Sequence, residues 1–376
     1  MRMLLGALAT AASIVHGSAP AGQVQTLYTS AAHQRIQAFA QDGELLAWFE
    51  PNAKKCNSVW VWQLGSAKVT LPAQGSAYHN VTCRWQVPTG SPVGLALASN
   101  EGSPAALWTL RESASQALRF DYVLGATLAD TNERRFQQVA HAKHGAGLWL
   151  GGVAGNDGSL VYSVIKVAYH DQVACLSTPK SAHACELEVT GGGVYRVVGR
   201  KPPAPLKGGG PAVALAVSGG DVAYVPAATA AMADGRPLAS ADIPVEIRDV
   251  ATGALVASVT PSGTPIAVGL SPDVLALLGR TDTGGVVLSW YDSATGKLLH
   301  SLAVKNTASP EIGVGTTAIV YRVGRAIKTV DMRTLTVRTL TTAAATPIGL
   351  SIAGDRIAWA EDVDGRGRIR AVTVTG

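Results

Sequence analysis

Histidines are the side chains best suited to act as bases or ligands near neutral pH, and the chain has eight of them. They are scattered along the sequence. The closest two, His141 and His144, enclose Ala142 and Lys143, and this short stretch predicts a solvated turn. No G-x-S-x-G, H-E-x-x-H or G-x-x-x-x-G-K-[ST] motif is present. The sequence therefore predicts neither a catalytic residue nor a bound cofactor.

The four cysteines form two local pairs, Cys56 with Cys83 and Cys175 with Cys185. Their spacing contains no C-x₂₋₄-C hook, and the nearby His183 fits no ligand pattern, so zinc is the weaker interpretation. An even number of cysteines behind an export signal favours two disulfides instead. We therefore expect two disulfides and no metal site.

An export signal is indicated by the apolar run over residues 3–15, which is too short to span a bilayer. Residues 19–21 have the sequence Ala-Pro-Ala, an A-x-A site that predicts cleavage before Gly22; cleavage after Gly17 is the alternative. Residues 1–21 are thus predicted to be a signal peptide. No later stretch is apolar enough to span a membrane, so the mature chain is expected to be secreted or periplasmic, with no transmembrane segment.

Two segments carry side chains suited to contact a ligand. Tyr78 and Trp85 lie in an aromatic-rich stretch and are expected to be exposed, where aromatic rings stack on sugars or fill a partner's pocket. Arg200 and Lys201 lie among prolines and glycines, in a stretch that predicts an exposed linker; a docking segment is the alternative. These four residues are the candidate binding surface.

Composition indicates the kind of scaffold that holds these segments. The chain has 376 residues, 47% hydrophobic and 15% charged, with a net charge of +5. This length supports a large core, and so small and dispersed a charge disfavours nucleic acid as a partner. Its 41 glycines and 19 prolines are scattered through an apolar background. That combination predicts an all-β chain of many short strands joined by turns.

One short pattern recurs along the chain, a turn-like stretch followed by an apolar run that usually ends in an aromatic residue. Seven copies occur, at residues 44–48, 104–108, 146–149, 221–224, 274–277, 318–321 and 356–359. The shorter intervals are close to 40 residues. A period of this length with short strands and tight turns is typical of a β-propeller.

A second pattern, D-x-x-T-G between two apolar runs, predicts hairpin turns at residues 249–253 and 292–296. In such a turn the Asp side chain bonds the turn backbone and the Gly takes the positive-φ position. A third copy, residues 331–335, has Leu335 in place of the Gly. We expect that turn to differ in detail.

Together these patterns predict a single seven-bladed propeller over residues 22–376, with insertions near 50–90, 165–210 and 226–241. The last unit supplies only three strands. The strand-like stretch at residues 24–29 is predicted to complete that blade, which closes the ring and removes a free edge. A β-sandwich of several domains is the alternative.

The D-x-x-T-G hairpins and the T-P-I-x-x-G-L-S stretch at residues 264–271 resemble the YVTN-type and TolB-like seven-bladed propellers, relatives of the WD40 repeats. The resemblance is clearest over residues 240–376. It implies a fold and not an activity, since one fold hosts many functions.

The function expected from the sequence is that of an exported, non-catalytic scaffold, monomeric, that binds a protein or an envelope component and no nucleic acid. One alternative is a lyase or lactonase with its site at the central channel. Another is a carbohydrate-binding propeller that uses Tyr78 and Trp85.

Overall fold

The computed structural model describes residues 22–51, 57–66, 94–98, 106–113, 117–127, 134–142, 145–177, 182–199, 201–232, 234–305 and 311–374. These residues form 28 strands, one short helix α1 (Gln172–Leu176) and one 3₁₀ helix η1 (His183–Cys185). All strand pairings between them are antiparallel, and the fold is all-β. None of the helices in the described ranges has the length and apolar character that crossing a bilayer needs.

Four sheets have three or four strands each. Sheet A contains β2 (Ala38–Asp42), β3 (Leu45–Pro51) and β4 (Asn57–Gln63). Sheet C contains β18 (Thr264–Leu270), β19 (Val274–Arg280), β20 (Val286–Asp292) and β21 (Leu298–Val304). Sheet D contains β22 (Ile312–Val314), β23 (Ala318–Val323), β24 (Ala326–Asp331) and β25 (Val337–Thr342). Sheet E contains β26 (Ile348–Ala353), β27 (Arg356–Val363), β28 (Arg366–Thr373) and β1 (Gln25–Thr29).

The remaining 13 strands form one sheet, sheet B. Its strands are β5 (Leu95–Leu97), β6 (Ala106–Ser113), β7 (Leu118–Ala126), β8 (Arg134–Ala142), β9 (Gly147–Asn156), β10 (Ser159–Tyr169), β11 (Leu187–Val197), β12 (Ala204–Pro205), β13 (Ala212–Ser218), β14 (Asp221–Ala231), β15 (Pro237–Ala239), β16 (Val245–Asp249) and β17 (Leu255–Val259).

The number of separate sheets corrects the prediction of seven blades, because only four sheets of blade size stand alone. Two single-residue pairings make sheet B continuous, His141 with Gly147 between β8 and β9, and Glu188 with Ala230 between β11 and β14. β11 and β14 are each 11 residues long, and the second pairing lies near the end of β14 and the start of β11. Strand length, which the repeat pattern does not specify, thus merges sheets that were predicted to be separate.

Buried apolar side chains pack each sheet against its neighbours. The clusters contain Phe49 and Leu124 (A with B), Val259 and Leu275 (B with C), Trp290 and Ile319 (C with D), Ile327 and Trp359 (D with E), and Trp48 and Ile369 (E with A). Sheets buried on both faces need continuous apolar strands, as in the first five residues of β3. This succession of packed antiparallel sheets is a propeller arrangement, in which β1 pairs with β28 of the last sheet.

Candidate functional site

Three hairpin turns with the same side-chain chemistry lie between β16 and β17, between β20 and β21, and between β24 and β25. In each turn the Asp Oδ1 accepts a hydrogen bond from the backbone N–H of the Thr three residues later. The N···O distance is 2.6 Å at Asp249, 2.8 Å at Asp292 and 2.7 Å at Asp331. The N–H of the fifth residue donates to the Asp carbonyl oxygen, at 2.8, 2.9 and 2.9 Å. Hydrogen bonds from the Thr hydroxyl and N–H hold the pKa of Asp249 and Asp292 below its usual range. For Asp331 the backbone N–H of Thr334 is the main cause of the same lowering of the pKa.

The turn that carries Leu335 keeps this backbone geometry and differs in detail, as expected. The Thr334 hydroxyl donates to Thr336 Oγ1 at 3.0 Å, whereas the corresponding Thr hydroxyls of the other two turns donate to the Asp Oδ1 at 2.6 Å. The fifth residues have φ of +73° at Gly253, +71° at Gly296 and +59° at Leu335. A left-handed conformation costs a non-glycine residue about 1–2 kcal/mol. The Asp and Thr bonds are therefore strong enough to hold a leucine in a backbone conformation that favours glycine.

Each of these hairpin turns lies beside an earlier turn: the one between β13 and β14, the one between β18 and β19, or the one between β22 and β23. A backbone hydrogen bond joins each pair of turns. The N–H of Val250 donates to the carbonyl oxygen of Gly220 at 2.7 Å, that of Ser293 to Asp273 at 3.1 Å, and that of Met332 to Thr317 at 2.9 Å. Both kinds of turn are thus on one side of the molecule. We call this side the turn face.

A groove of about 670 Å³ opens on the turn face between sheets C and D. The buried Trp290 and Val274 lie at its base, and the ring of His300 packs edge-on against Trp290 at 5.2 Å. Leu299 and Leu335 line it, although they are 48% and 42% exposed. The groove is mainly apolar and accessible, which are the properties of a surface that receives another apolar group.

A second cavity of about 280 Å³ is lined by turns from six pairs of strands. The lining residues are Asp42, Gly43, Asn156, Asp157, Ser218, Gly219, Leu270, Ser271, Pro272, Val314, Gly315, Thr316, Ile352, Ala353 and Gly354. We call it the central pocket. Thr316 lines both this pocket and the groove, so the two cavities adjoin.

The central pocket has two carboxylates, Asp42 and Asp157, and the Asp42 Oδ2 accepts the backbone N–H of Asp157 at 2.9 Å. No histidine is among the described residues that line it. Its other lining residues are either small, such as Gly219 and Ser271, or apolar, such as Leu270 and Ile352.

The most perturbed carboxyl of the described chain lies elsewhere. Glu50 is 1% exposed near the far end of β3, about 20 Å along the strand from the turn at Gly43. Burial raises its pKa to about 7, although the hydrogen bond from Tyr28 favours the charged form. The Tyr28 hydroxyl donates to Glu50 Oε1 at 2.9 Å. Glu50 is therefore not part of the turn face.

His141 corrects another expectation, since it lies in β8 and not in a solvated turn. It is 1% exposed, its ring stacks on Trp149 at 3.8 Å, and its Nε2 lies 3.3 Å from Asp121 Oδ2. The strand continues to Ala142, which brings this side chain between packed strands. Lys143 and His144 lie outside the described residues.

Three of the eight residues singled out from the sequence, Cys175, Cys185 and Lys201, lie in the described part of the chain. Cys175 and Cys185 form a disulfide, with Cα atoms 4.8 Å apart. Lys201 is exposed. Five other residues lie outside the described residues: Cys56, Cys83, Tyr78, Trp85 and Arg200.

The groove residues Leu299 and Leu335 were not predicted as a site. The signal for one of them was present in the sequence, as a leucine where two sister turns have glycine.

No protein-family model matches this chain, and no curated protein does. Solved structures do match. The β-propeller domain of the Trilobed protease from Pyrococcus furiosus, described as having an open velcro topology, superposes with a TM-score of 0.52 at 9% identity, over 90% of this chain and 95% of that one. A chain of a mitotic checkpoint complex has a TM-score of 0.48 at 13% identity, over 99% of this chain and 100% of that one. Sqt1 from Saccharomyces cerevisiae has a TM-score of 0.45 at 10% identity, over 93% of this chain and 99% of that one.

At such low identity the first of these matches supports the propeller fold alone. The fold is therefore a β-propeller.

Proposed function

We propose that this chain is a non-catalytic binding scaffold that takes a protein partner on the turn face. The observation that carries the proposal is Leu335, a leucine in the left-handed region whose exposed side chain lines the groove. Backbone strain of this kind is found preferentially at functional sites, where the surrounding structure holds it in place. Leu335 gives the groove apolar surface that glycine would not provide.

The partner that fits is a protein segment with an apolar side chain. Leu299, Met332 and Leu335 offer apolar contacts at the groove, while Arg333 and Asp331 lie beside them as polar groups. An apolar centre with a polar rim is typical of a protein interface. The adjoining central pocket extends this surface with turn backbone and the carboxylates of Asp42 and Asp157.

We also propose that the sheets close into a ring and that the propeller is of the YVTN and TolB-like type. The packing of sheet E on sheet A, the β1–β28 pairing, and the gathering of six turns around the central pocket support closure. In such a ring the central pocket is one mouth of the channel.

Export is part of the same proposal, with residues 1–21 as the signal peptide and 22–376 as the mature domain. The Cys175–Cys185 disulfide supports a secreted or periplasmic location, because disulfides persist in oxidising compartments. N-terminal sequencing of the protein recovered outside the cytoplasm should begin at Gly22. A chain that retains Met1 would contradict this cleavage.

Site-specific photo-crosslinking tests the binding proposal. The chain is expressed in its source cells with a photoreactive amino acid at Leu299 or at Leu335, and adducts are identified by mass spectrometry. The matched control is Leu238, which has a similar exposure of 41%. It lies in β15, which pairs with the half of β14 that is farther from the turn face. We expect both groove positions to capture the same protein and the control to capture none of it. No protein adduct at either groove position, or equal capture at all three, would overturn the proposal.

A further inference from the structure

The hairpin formed by β10 and β11 carries two histidines near its tip. His170 directly follows β10, and His183 begins η1. The Cys175–Cys185 disulfide links α1 to η1. The backbone N–H of His170 donates to Glu186 at 2.8 Å. A covalent link and a backbone hydrogen bond therefore fix how the two histidines lie relative to each other.

The two imidazole rings lie side by side, with centroids 4.4 Å apart and an angle of 39° between their planes. Each has a carboxylate on its Nδ1. His170 Nδ1 is 2.8 Å from Glu188 Oε1, and His183 Nδ1 is 2.9 Å from Glu186 Oε2. The side chains are 41% and 67% exposed, so solvent ions reach them.

A carboxylate on Nδ1 selects the tautomer with its proton on that nitrogen, which leaves the Nε2 lone pair free to bind a metal. Histidines that ligate metals almost always donate their other N–H to such an acceptor. Two nitrogens on one ion, each about 2.1 Å from it, lie roughly 3–3.5 Å apart. Neighbouring rings with centroids 4.4 Å apart are compatible with that separation.

We propose that His170 and His183 form a two-histidine site for a divalent transition-metal ion, Zn²⁺ or Cu²⁺, which they bind through Nε2. Imidazole is a preferred ligand of both ions. In the described part of the chain, no three His, Cys, Asp or Glu side chains are arranged to hold a metal ion. In this proposal water or a group supplied by a partner completes the coordination shell. This site is independent of the proposed binding at the turn face.

Isothermal titration of tag-free, full-length protein with Zn²⁺ and with Cu²⁺ tests the site. We expect one ion per chain, with an affinity that falls at least about tenfold in both His170→Ala and His183→Ala. Glu188→Gln, which keeps an acceptor but removes the charge, should weaken binding by roughly tenfold. The control is His33→Asn, at an exposed turn with φ of +65°, which asparagine tolerates. Its affinity should equal that of the unaltered chain.

A spectroscopic measurement identifies the ligands. The electron paramagnetic resonance spectrum of the Cu²⁺-loaded protein should show coupling to two imidazole nitrogens, and to one in either single variant. Equal affinity in the unaltered chain and both histidine variants would overturn the proposal. So would a loss of affinity in only one of them, because the site requires both histidines. Circular dichroism of each variant establishes that the fold is retained.

Discussion

The turns at residues 292–296 and 331–335 share the hydrogen bonds that their backbone N–H groups donate to the Asp, and have nearly the same backbone, but different neighbours. A Cβ on Gly296 would lie 2.5 Å from the carbonyl oxygen of Ser258, on the outer strand of sheet B. A Cβ on Gly253 would lie equally close to the carbonyl oxygen of Lys207. Leu335 instead borders the groove. Close approach of a neighbouring backbone therefore demands glycine at two turns, and where the groove replaces that contact, leucine fits.

The comparison separates two roles that glycine has in these hairpins. The first is to accept the positive φ, which the Asp and Thr bonds can impose on leucine as well. The second is to let another backbone approach, which no residue with a Cβ can do. The leucine turn keeps its strain although glycine would relieve it. That is expected if the side chain is used for binding.

The largest effect should come from placing leucine in the packed turn. Gly296→Leu adds a side chain where the Ser258 carbonyl lies and forces leucine into the left-handed region, so we expect it to lower the free energy of unfolding by about 3 kcal/mol. Urea unfolding followed by tryptophan fluorescence measures this. Leu335→Ala is the control and should change stability by less than about 1 kcal/mol. Equal losses in the two variants would remove the difference between the turns.

The next largest effect should be a loss of affinity for the partner when the groove leucine is shortened. Leu335→Ala should weaken the complex with the partner identified by crosslinking about tenfold, because a leucine side chain leaves the interface. Surface plasmon resonance with the purified partner measures the affinity. Leu238→Ala, which removes a side chain of similar exposure, should leave it unchanged. An unaltered affinity in Leu335→Ala would mean that the strained leucine serves no binding function.

Leu335→Gly should move stability in the opposite direction from the packed-turn variant. Removal of the Cβ from a residue with φ of +59° relieves the left-handed strain and should raise the free energy of unfolding by about 1 kcal/mol. The same urea titration measures it. A variant less stable than the unaltered chain would indicate that Leu335 contributes more through packing than it costs in strain.

The smallest effect is a pH dependence that all three turns should share. The folded-state pKa of Asp292 and Asp331 is lowered, so their contribution to stability is present above the ordinary value of 3.8 and is lost as the pH falls through the lowered value. Asp292→Asn and Asp331→Asn should each lower the melting temperature slightly near neutral pH. The difference from the unaltered chain should shrink in acid. A difference that grows in acid would contradict the assigned hydrogen bonds.

The sequence predicts local features of this fold well because short-range chemistry determines them. The D-x-x-T-G pattern predicted hairpins at residues 249–253 and 292–296, and both are present with the expected Asp hydrogen bonds. The Cys175–Cys185 pairing was also predictable from its short loop. These features depend on residues close together in the chain.

Other features depend on contacts that a repeat pattern does not specify. Sheet B is continuous because one residue pair joins β8 to β9 and another joins β11 to β14. The burial of His141 depends on the ring of Trp149 and on Asp121. The groove is lined by residues of both sheets C and D, which are far apart in the chain. The sequence therefore does not predict the groove, although it contains the leucine that marks it, in place of the glycine of the other two turns.

The most direct test of the binding face is hydrogen exchange of the complex with the captured partner, followed by mass spectrometry. Binding at the turn face should slow exchange of the backbone amides at residues 331–336 and 315–317, and leave the hairpin tip at residues 170–186 unchanged. Slower exchange at the hairpin tip, with no change at those two turns, would contradict the proposed binding face.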